Sequence, residues 1–372
     1  MKHSIAVVAG EISADIHTAP VLERLRSSHP EWSFFGTGGE KMKEAGIDLM
    51  ANTDDLAVMG FSSLPAMIPR LMRLKKRILN RIQQEDTRLA ILVDYPGFNL
   101  NLAKNIKKVS PKTKILYFIA PQLWAWKPGR ISYLQKYVDK LAVILPFEKS
   151  YFEERGVPTV YVGNPLMEEL REYEPLDIQT RLGSRYLALL PGSRKGVIKT
   201  HLPKMVEVAY QILAREQGLC PAVGCSPYIP REFYEKFIPS DNAIELIFDS
   251  RKLLCKAKFS IICSGTSTLE AAILGAPQLV IYKTSSINYF IAKQLVNLKS
   301  VSLVNIIAGK QLVMECLQDD FNTKKLTENT IRYLNNAELL VEMSESYESV
   351  IKSLGKHQTS KTLTDLICQM LD

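Results

Sequence analysis

Histidine and tryptophan are sparse in this 372-residue chain, at five and three residues. His3, His17, His29, His201 and His357 share no spacing, and the six cysteines contain no C-x-x-C pair. Zinc-ligand patterns are therefore absent, and reduced thiols without a structural metal are expected. No uninterrupted apolar stretch approaches the roughly 20 residues needed to cross a bilayer. The N-terminal run beginning at Ile5 meets Glu11 at once and reads as a buried strand, not a signal peptide. The Gly-Lys-Ser/Thr of a P-loop is missing, as is the three-glycine dinucleotide fingerprint. Gly36, Gly38 and Gly39 in FGTGGEKM come nearest, but the third glycine is misplaced. They read as a turn between a strand at Trp32 to Phe35 and the following helix.

What is present describes a globular protein with ample core, at 46% apolar and 23% charged residues. The length favours two domains. A net charge of +8 suits an anionic partner, whether nucleic acid, an anionic lipid surface or a phosphorylated substrate.

Short β-branched runs alternate with helical patterns from the start: Ile5 to Val8, Trp32 to Phe35, Leu89 to Val93, Ile115 to Ile119, Leu141 to Leu145 and Thr159 to Val162. That alternation predicts a parallel sheet covered on both faces. It pauses in the Gly-, Pro- and acid-rich stretch from Gly163 to Pro175. A second series then runs through Tyr186 to Leu190, Ala222 to Gly224, Ile244 to Phe248, Phe259 to Ile262 and Leu279 to Tyr282, with a helix such as Lys204 to Arg215 between. From about Thr323 only helical spacing remains. The expected organisation is α/β: two Rossmann-like domains over 1–164 and 165–322 facing across a cleft, as in glycosyltransferase type B. A helical C-terminal tail over 323–372 is expected to pack back on a domain or on a partner subunit, with a homodimer as one outcome.

Two segments carry the chemistry. LALLPGSRK (Leu187 to Lys195) and CSGTSTLE (Cys263 to Glu270) each close an apolar run and open a helical pattern. That places the amides of Gly192, Ser193 and Arg194, and of Ser264, Gly265 and Thr266, at helix N-termini, where anions bind. Adjacent strand ends of a parallel sheet could hold a nucleotide diphosphate between them. Arg194 offers a bidentate contact to diphosphate oxygens. Asp94 ends the strand Leu89 to Val93 before a Pro-Gly turn, which is a cleft position for a general base or a plain turn-forming role.

With these residues assembled, the chain resembles the lipid-A-disaccharide synthases. The resemblance runs from about Ile5 to about Leu317 and rests on VAGEISAD at Val8, DDLAVMGF at Asp54, VDYPGFNL at Val93, APQLWAWKPGR at Ala120 and LPFEKSYF at Leu145. VGNPL at Val162, LLPGSR at Leu189, SGTSTLE at Ser264 and SLVNIIAG at Ser302 follow in order. It implies transfer of 2,3-diacylglucosamine from UDP to the 6-hydroxyl of 2,3-diacylglucosamine 1-phosphate, with inversion and a β-1,6 product. No metal or other cofactor is implied.

In that reading Asp94 is the base. Gly192, Ser193, Arg194, Ser264, Gly265, Thr266, Glu270 and Asn305 bind the UDP-sugar, with Glu270 accepting ribose hydroxyls. Glu11, Ser13 and Asp15 shape the acceptor side. Plain alternatives stand beside these roles: helix caps for Ser13 and Asp15, a first-turn carboxylate for Glu270, and a buried amide satisfying loop backbone for Asn305. Trp124 and Trp126, with Lys127 and Arg130, could receive acyl chains or phosphate, or pack a loop. Ala14, Gly97, Asn164 and Val197 depart from the usual family pattern.

Leu64, Met67, Ile68 and Leu71 fall near helical spacing with Arg70 and Arg73 on other faces. Such a basic amphipathic helix suits an anionic inner-leaflet surface, although packing on a sheet is the commoner origin of such a stripe. The implied partners are acylated sugars and the membrane surface, and the implied place is the cytoplasmic face of the inner membrane. A UDP-N-acetylglucosamine 2-epimerase or a transferase with a soluble acceptor is the first rival. A nucleic-acid-binding module is disfavoured by the lack of RNP strings and zinc-finger spacing.

Overall fold

The first seven strands lie in one all-parallel sheet of order β3-β2-β1-β4-β5-β6-β7. They are β1 (Ser4–Ala9), β2 (Ser33–Gly38), β3 (Asp48–Asn52), β4 (Leu89–Val93), β5 (Lys114–Phe118), β6 (Lys140–Val143) and β7 (Thr159–Tyr161). A second all-parallel sheet has the order β10-β9-β8-β11-β12-β13. Its strands are β8 (Tyr186–Leu190), β9 (Cys220–Gly224), β10 (Glu245–Ile247), β11 (Phe259–Cys263), β12 (Gln278–Tyr282) and β13 (Met314–Leu317). The structure is a computed structural model that describes residues 3–53, 64–125, 127–284 and 300–372, with the side chains of 64–67 excepted. The DDLAVMGF motif and Trp126 lie outside the described residues.

β1 shows why these runs become central strands. Successive side chains point to opposite faces, and both faces are covered. Ile5, Val7 and Ala9 enter a core with Leu22 and Leu25 of the helix Ile12–Ser28 and with Leu363 and Ile367 of the helix Thr359–Leu371. Ala6 and Val8 enter the opposite core with Leu74, Ile78 and Ile82 of the helix Leu64–Gln84 and with Leu102 and Ile106 of the helix Pro96–Val109.

Two edge strands, β3 and β13, escape the sequence pattern. DLMAN and MECL are short and carry polar residues, as edge strands do, because one side lacks a partner strand. The glycines of FGTGG are not a simple turn: Gly36 and Gly38 lie within β2. A Cβ on Gly36 would stand 1.8 Å from the Val7 carbonyl oxygen, so the residue permits close approach of β1.

The chain forms two compact units, residues 1–168 with 356–372, and residues 169–355. The expected division after Asn164 thus shifts to Glu168, and the tail splits. The helices Thr323–Leu334 and Ala337–Leu354 belong to the second unit. Thr359–Leu371 packs on Ile12–Ser28 in the first, where Lys114 Nζ also donates to the Met370 carbonyl. Among the described residues no helix is long and apolar enough to cross a membrane.

Candidate active site

In the first unit the chain leaves β1 toward β2 on one side and returns to β4 on the other. The carboxyl ends of β1 and β4 are therefore the topological switch point, where open α/β sheets bind ligands. Gly10 and Glu11 follow β1, and Asp94 and Tyr95 follow β4.

Asp94 and Tyr95 both have left-handed backbones, with φ of 47° and 48°. Each such non-glycine residue costs on the order of 1–3 kcal/mol, so the surroundings must enforce it. They do so through the backbone of Asp94. Its N–H donates to Phe118 O at 2.9 Å, and its carbonyl accepts from Tyr117 Oη at 2.6 Å and Asn99 Nδ2 at 2.9 Å. The same Asn99 nitrogen reaches Val8 O at 3.2 Å and Val93 O at 3.1 Å, which locks the ends of β1 and β4 together. Asn99 and Tyr117 are fully buried. Burial drives the Tyr117 phenol well above its ordinary pKa; the Asp94 carboxylate pushes the same way and Arg130 opposes it. Asp94 and Arg130 therefore share this end of the sheet. A Cβ on Gly10 would fall 2.4 Å from the Tyr95 ring, so glycine there seats that ring beside Glu11. Burial first, and then Glu11, raise the Tyr95 phenol.

Glu148 is buried next to this region at the start of the helix Pro146–Glu153. It accepts from Trp124 Nε1 at 3.0 Å and from Leu145 N–H at 3.2 Å. Burial pushes its pKa up to about 7, its hydrogen bonds oppose the rise, and the Asp94 charge adds to it. Trp124 thus packs and bonds within the first unit.

Asp15 takes the capping role. Its carboxylate accepts N–H bonds from Gly39 at 2.7 Å, Lys41 at 3.1 Å and Met42 at 2.9 Å, capping the helix Glu40–Glu44. With its oxygens directed at those amides, Asp15 supports the loop, as its capping alternative has it. Ser13 is exposed, and Glu11 is the helix N-cap residue, with an extended backbone. Ala14 lies inside the helix Ile12–Ser28 and outside the positive-φ residues, so alanine fits there. Gly97 is exposed, and a Cβ there would meet no atom within 4 Å. Asn164 is buried and spends its amide on Ile144 O and the Leu166 N–H.

In the second unit the switch point lies between β8 and β11, whose ends carry the two glycine-serine segments. Gly192 has φ of +107°, and a Cβ there would meet Val197 at 2.8 Å. Only glycine suits that backbone and spacing. Ser193 and Arg194 are exposed, and Arg194 is the N-cap residue of the long helix Lys195–Leu213, without a side-chain cap. The charge of Arg194 reaches Tyr282 at the end of β12. Across the switch point, Ser264 Oγ donates to Val301 O at 2.8 Å, and exposed Gly265 and Thr266 begin the helix Thr266–Ile273.

Glu270 is buried one turn into that helix, and its Oε1 accepts from Arg251 Nε at 2.8 Å. Arg251 Nη2 also donates to Glu169 Oε2 at 2.7 Å. Asn305 is a different matter. Its Nδ2 donates to Val313 O and Glu315 Oε1, at 2.9 and 2.8 Å, and its Oδ1 accepts from the Leu312 and Val313 N–H groups, at 2.7 and 3.0 Å. All four hydrogen-bonding positions of the amide are taken up by the approach to β13, so the Asn305 side chain holds that loop.

A family model described as lipid-A-disaccharide synthetase matches residues 5–368. The lipid-A-disaccharide synthase of Myxococcus xanthus (strain DK1622) is 32% identical, covering 99% of this chain and 97% of its own. The chain belongs to the lipid-A-disaccharide synthase family. It is a glycosyltransferase. Among solved structures, the S. aureus MnaA-UDP co-structure superposes with a TM-score of 0.69 at 15% identity, over 99% of this chain and 97% of that one. CalG4, the calicheamicin glycosyltransferase, superposes at 0.59 and 13%, over 100% and 98%. The two parallel-sheet domains thus have the glycosyltransferase type B fold.

Within this synthase family fold, sequence motifs located the two switch points but not the residues behind them. Asn99 and Glu148 stand inside family motifs that gave them no role, whereas Arg251 and Tyr117 stand in none. The helix Leu64–Gln84 divides along its length. Leu74, Ile78 and Ile82 are buried on the sheet, while Ile68 and Met72 are 58% and 55% exposed beside exposed Arg70 and Arg73, and Leu71 is half-buried. The side chains of Leu64 and Met67 lie outside the described residues.

Proposed function

We propose that the chain transfers 2,3-diacylglucosamine from UDP to the 6-hydroxyl of 2,3-diacylglucosamine 1-phosphate with inversion, giving the β-1,6 disaccharide 1-phosphate and UDP. One observation carries the residue assignment: Asp94 sits in a left-handed backbone at the β1/β4 switch point, held by two buried side chains. Asp94 takes the hydroxyl proton as the acceptor oxygen bonds to the sugar carbon and the bond to UDP breaks, the electron pair leaving with the diphosphate. The amides after Gly192 and at Ser264 to Thr266, with Arg194, stabilise that leaving charge, so the proposal calls on no metal. Glu270 accepts ribose hydroxyls while Arg251 orients it. Glu11 and Ser13 line the acceptor side.

The exposed Ile68 and Met72 with Arg70 and Arg73 support a surface that rests on the anionic inner leaflet, where acylated substrates reside. That assignment puts the enzyme on the cytoplasmic face of the membrane.

The test is to incubate purified protein in detergent, without added metal, with both acylated substrates, and to follow UDP and disaccharide by mass spectrometry. Disaccharide from the wild type but not from Asp94→Ala is the expected result. Product from both removes Asp94 as base. Equal turnover of de-acylated sugars rejects lipid chemistry, and UDP binding without disaccharide turns the reading to epimerisation.

A further inference from the structure

His201 belongs to no motif, yet it stands beneath both phosphate-facing segments of the second unit. It lies in the second turn of the helix Lys195–Leu213 and is 1% exposed. Nε2 is 3.0 Å from the backbone nitrogen of Lys283, the residue after β12. A backbone N–H can only donate, so Nε2 must be the unprotonated acceptor. The proton then resides on Nδ1, which stands 2.8 Å from Val197 O and donates to it. Cys263, the last residue of β11, places Sγ 3.9 Å from both ring nitrogens, and the Phe321 ring meets the imidazole edge-on at 5.3 Å. One ring thus touches the first turn after Arg194, the strand end before Ser264, and the strand end at Tyr282. Val197 is also the residue against which Gly192 packs. Burial lowers the His201 pKa, with the bond to Val197 opposing, in keeping with a neutral ring.

We propose that His201 is a positioning residue for nucleotide binding, a neutral imidazole that clamps the helix after the PGSR loop to the carboxyl end of β12. The inference rests on the reading that these loops hold UDP. The ring touches no substrate; it fixes the spacing between Arg194 and the strand ends that face the same diphosphate. Nε2 alone joins the helix to a different element, while the Nδ1 bond to Val197 O stays within the helix, four residues back, and fixes the tautomer that lets Nε2 accept.

Two substitutions separate the bond that makes the clamp from the one that stays within the helix. Gln places its amide oxygen near the position of Nε2 and can still accept from Lys283 N–H, whereas Asn reaches only the position of Nδ1 and keeps the bond to Val197. UDP affinity is measured by calorimetry, donor KM and kcat by disaccharide formation, and exchange of the Lys283 amide by NMR. For His201→Gln, UDP affinity is expected within about threefold of wild type. For His201→Asn it falls at least tenfold, with donor KM rising more than kcat falls, and Lys283 exchange accelerates. Equal UDP affinity in wild type and both variants overturns the inference, as does equal loss in both. A nitrogen spectrum of the wild type showing Nε2 protonated at neutral pH overturns it without any variant. A wild type that does not bind UDP overturns instead the functional reading beneath it.

Discussion

Arg251 places Nε 2.8 Å from Glu270 Oε1 and extends its other nitrogen 2.7 Å to Glu169 Oε2, so one guanidinium orients the carboxylate assigned to the ribose. Replacing it with Met leaves two largely buried carboxylates without their cation. The expected loss is about 2 kcal/mol of stability, discounted because Arg251 retains some solvent contact. UDP affinity should fall about tenfold, a loss of roughly 1.4 kcal/mol. Calorimetry with UDP and 2′-deoxy-UDP isolates the ribose. Wild type should prefer UDP, and the preference should vanish in Glu270→Gln; a preference that survives there removes Glu270 from the ribose.

Asn99 offers a second test, because its amide holds the ends of β1 and β4 and the carbonyl of Asp94. Asn99→Ala leaves three carbonyls without that donor and releases a strained turn. We expect a stability loss of about 2–3 kcal/mol, read from chemical denaturation, and kcat lower by at least tenfold. A variant with unchanged kcat would separate the geometry of Asp94 from turnover.

Asp15 distinguishes a cap from a binding residue. Asp15→Ala strips the acceptor from the Gly39, Lys41 and Met42 amides and should cost about 1–2 kcal/mol in thermal or urea unfolding. Acceptor KM should stay within about threefold. A large rise in acceptor KM with unchanged stability would return Asp15 to the acceptor side.

Glu148 gives a pH dependence with a definite sign. Its folded pKa of about 7 lies above the ordinary 4.5, so between those values the folded state binds a proton that the unfolded state has released. Stability from this group is therefore lost as pH rises through that window, by an amount on the order of 3 kcal/mol. Glu148→Gln, which mimics the protonated acid, should flatten that part of the stability profile. An unchanged slope in the variant would mean that Glu148 ionises freely in the folded protein.

The sequence conveys the central strands well because each is apolar on both faces, as β1, β4, β8 and β11 are. It conveys β3 and β13 poorly because an edge strand need not be, and Glu315 in β13 is used to bind Val301, Ser302 and Asn305. Glycine and serine after a central strand are legible because the backbone demands them, as Gly192 shows. Long-range partners are not: Arg251 meets Glu270 across 19 residues, and Lys283 meets His201 across 82. Asn305 and Asp15 show that a polar residue inside a motif can serve the loop that carries the motif, a role that its long-range hydrogen bonds reveal and its sequence does not.

The helix Thr359–Leu371 closes a core that β1 opens, since Leu363, Leu366, Ile367 and Met370 pack in the same cluster as Ile5, Val7 and Ala9. During translation the first sheet therefore emerges with part of one face bare, and it waits for the helix Thr359–Leu371. At roughly 5–20 residues per second that interval is on the order of half a minute. The second unit has all its strands and its two closing helices before then. The unit whose synthesis begins first thus cannot close that core until the segment following the second unit has been made.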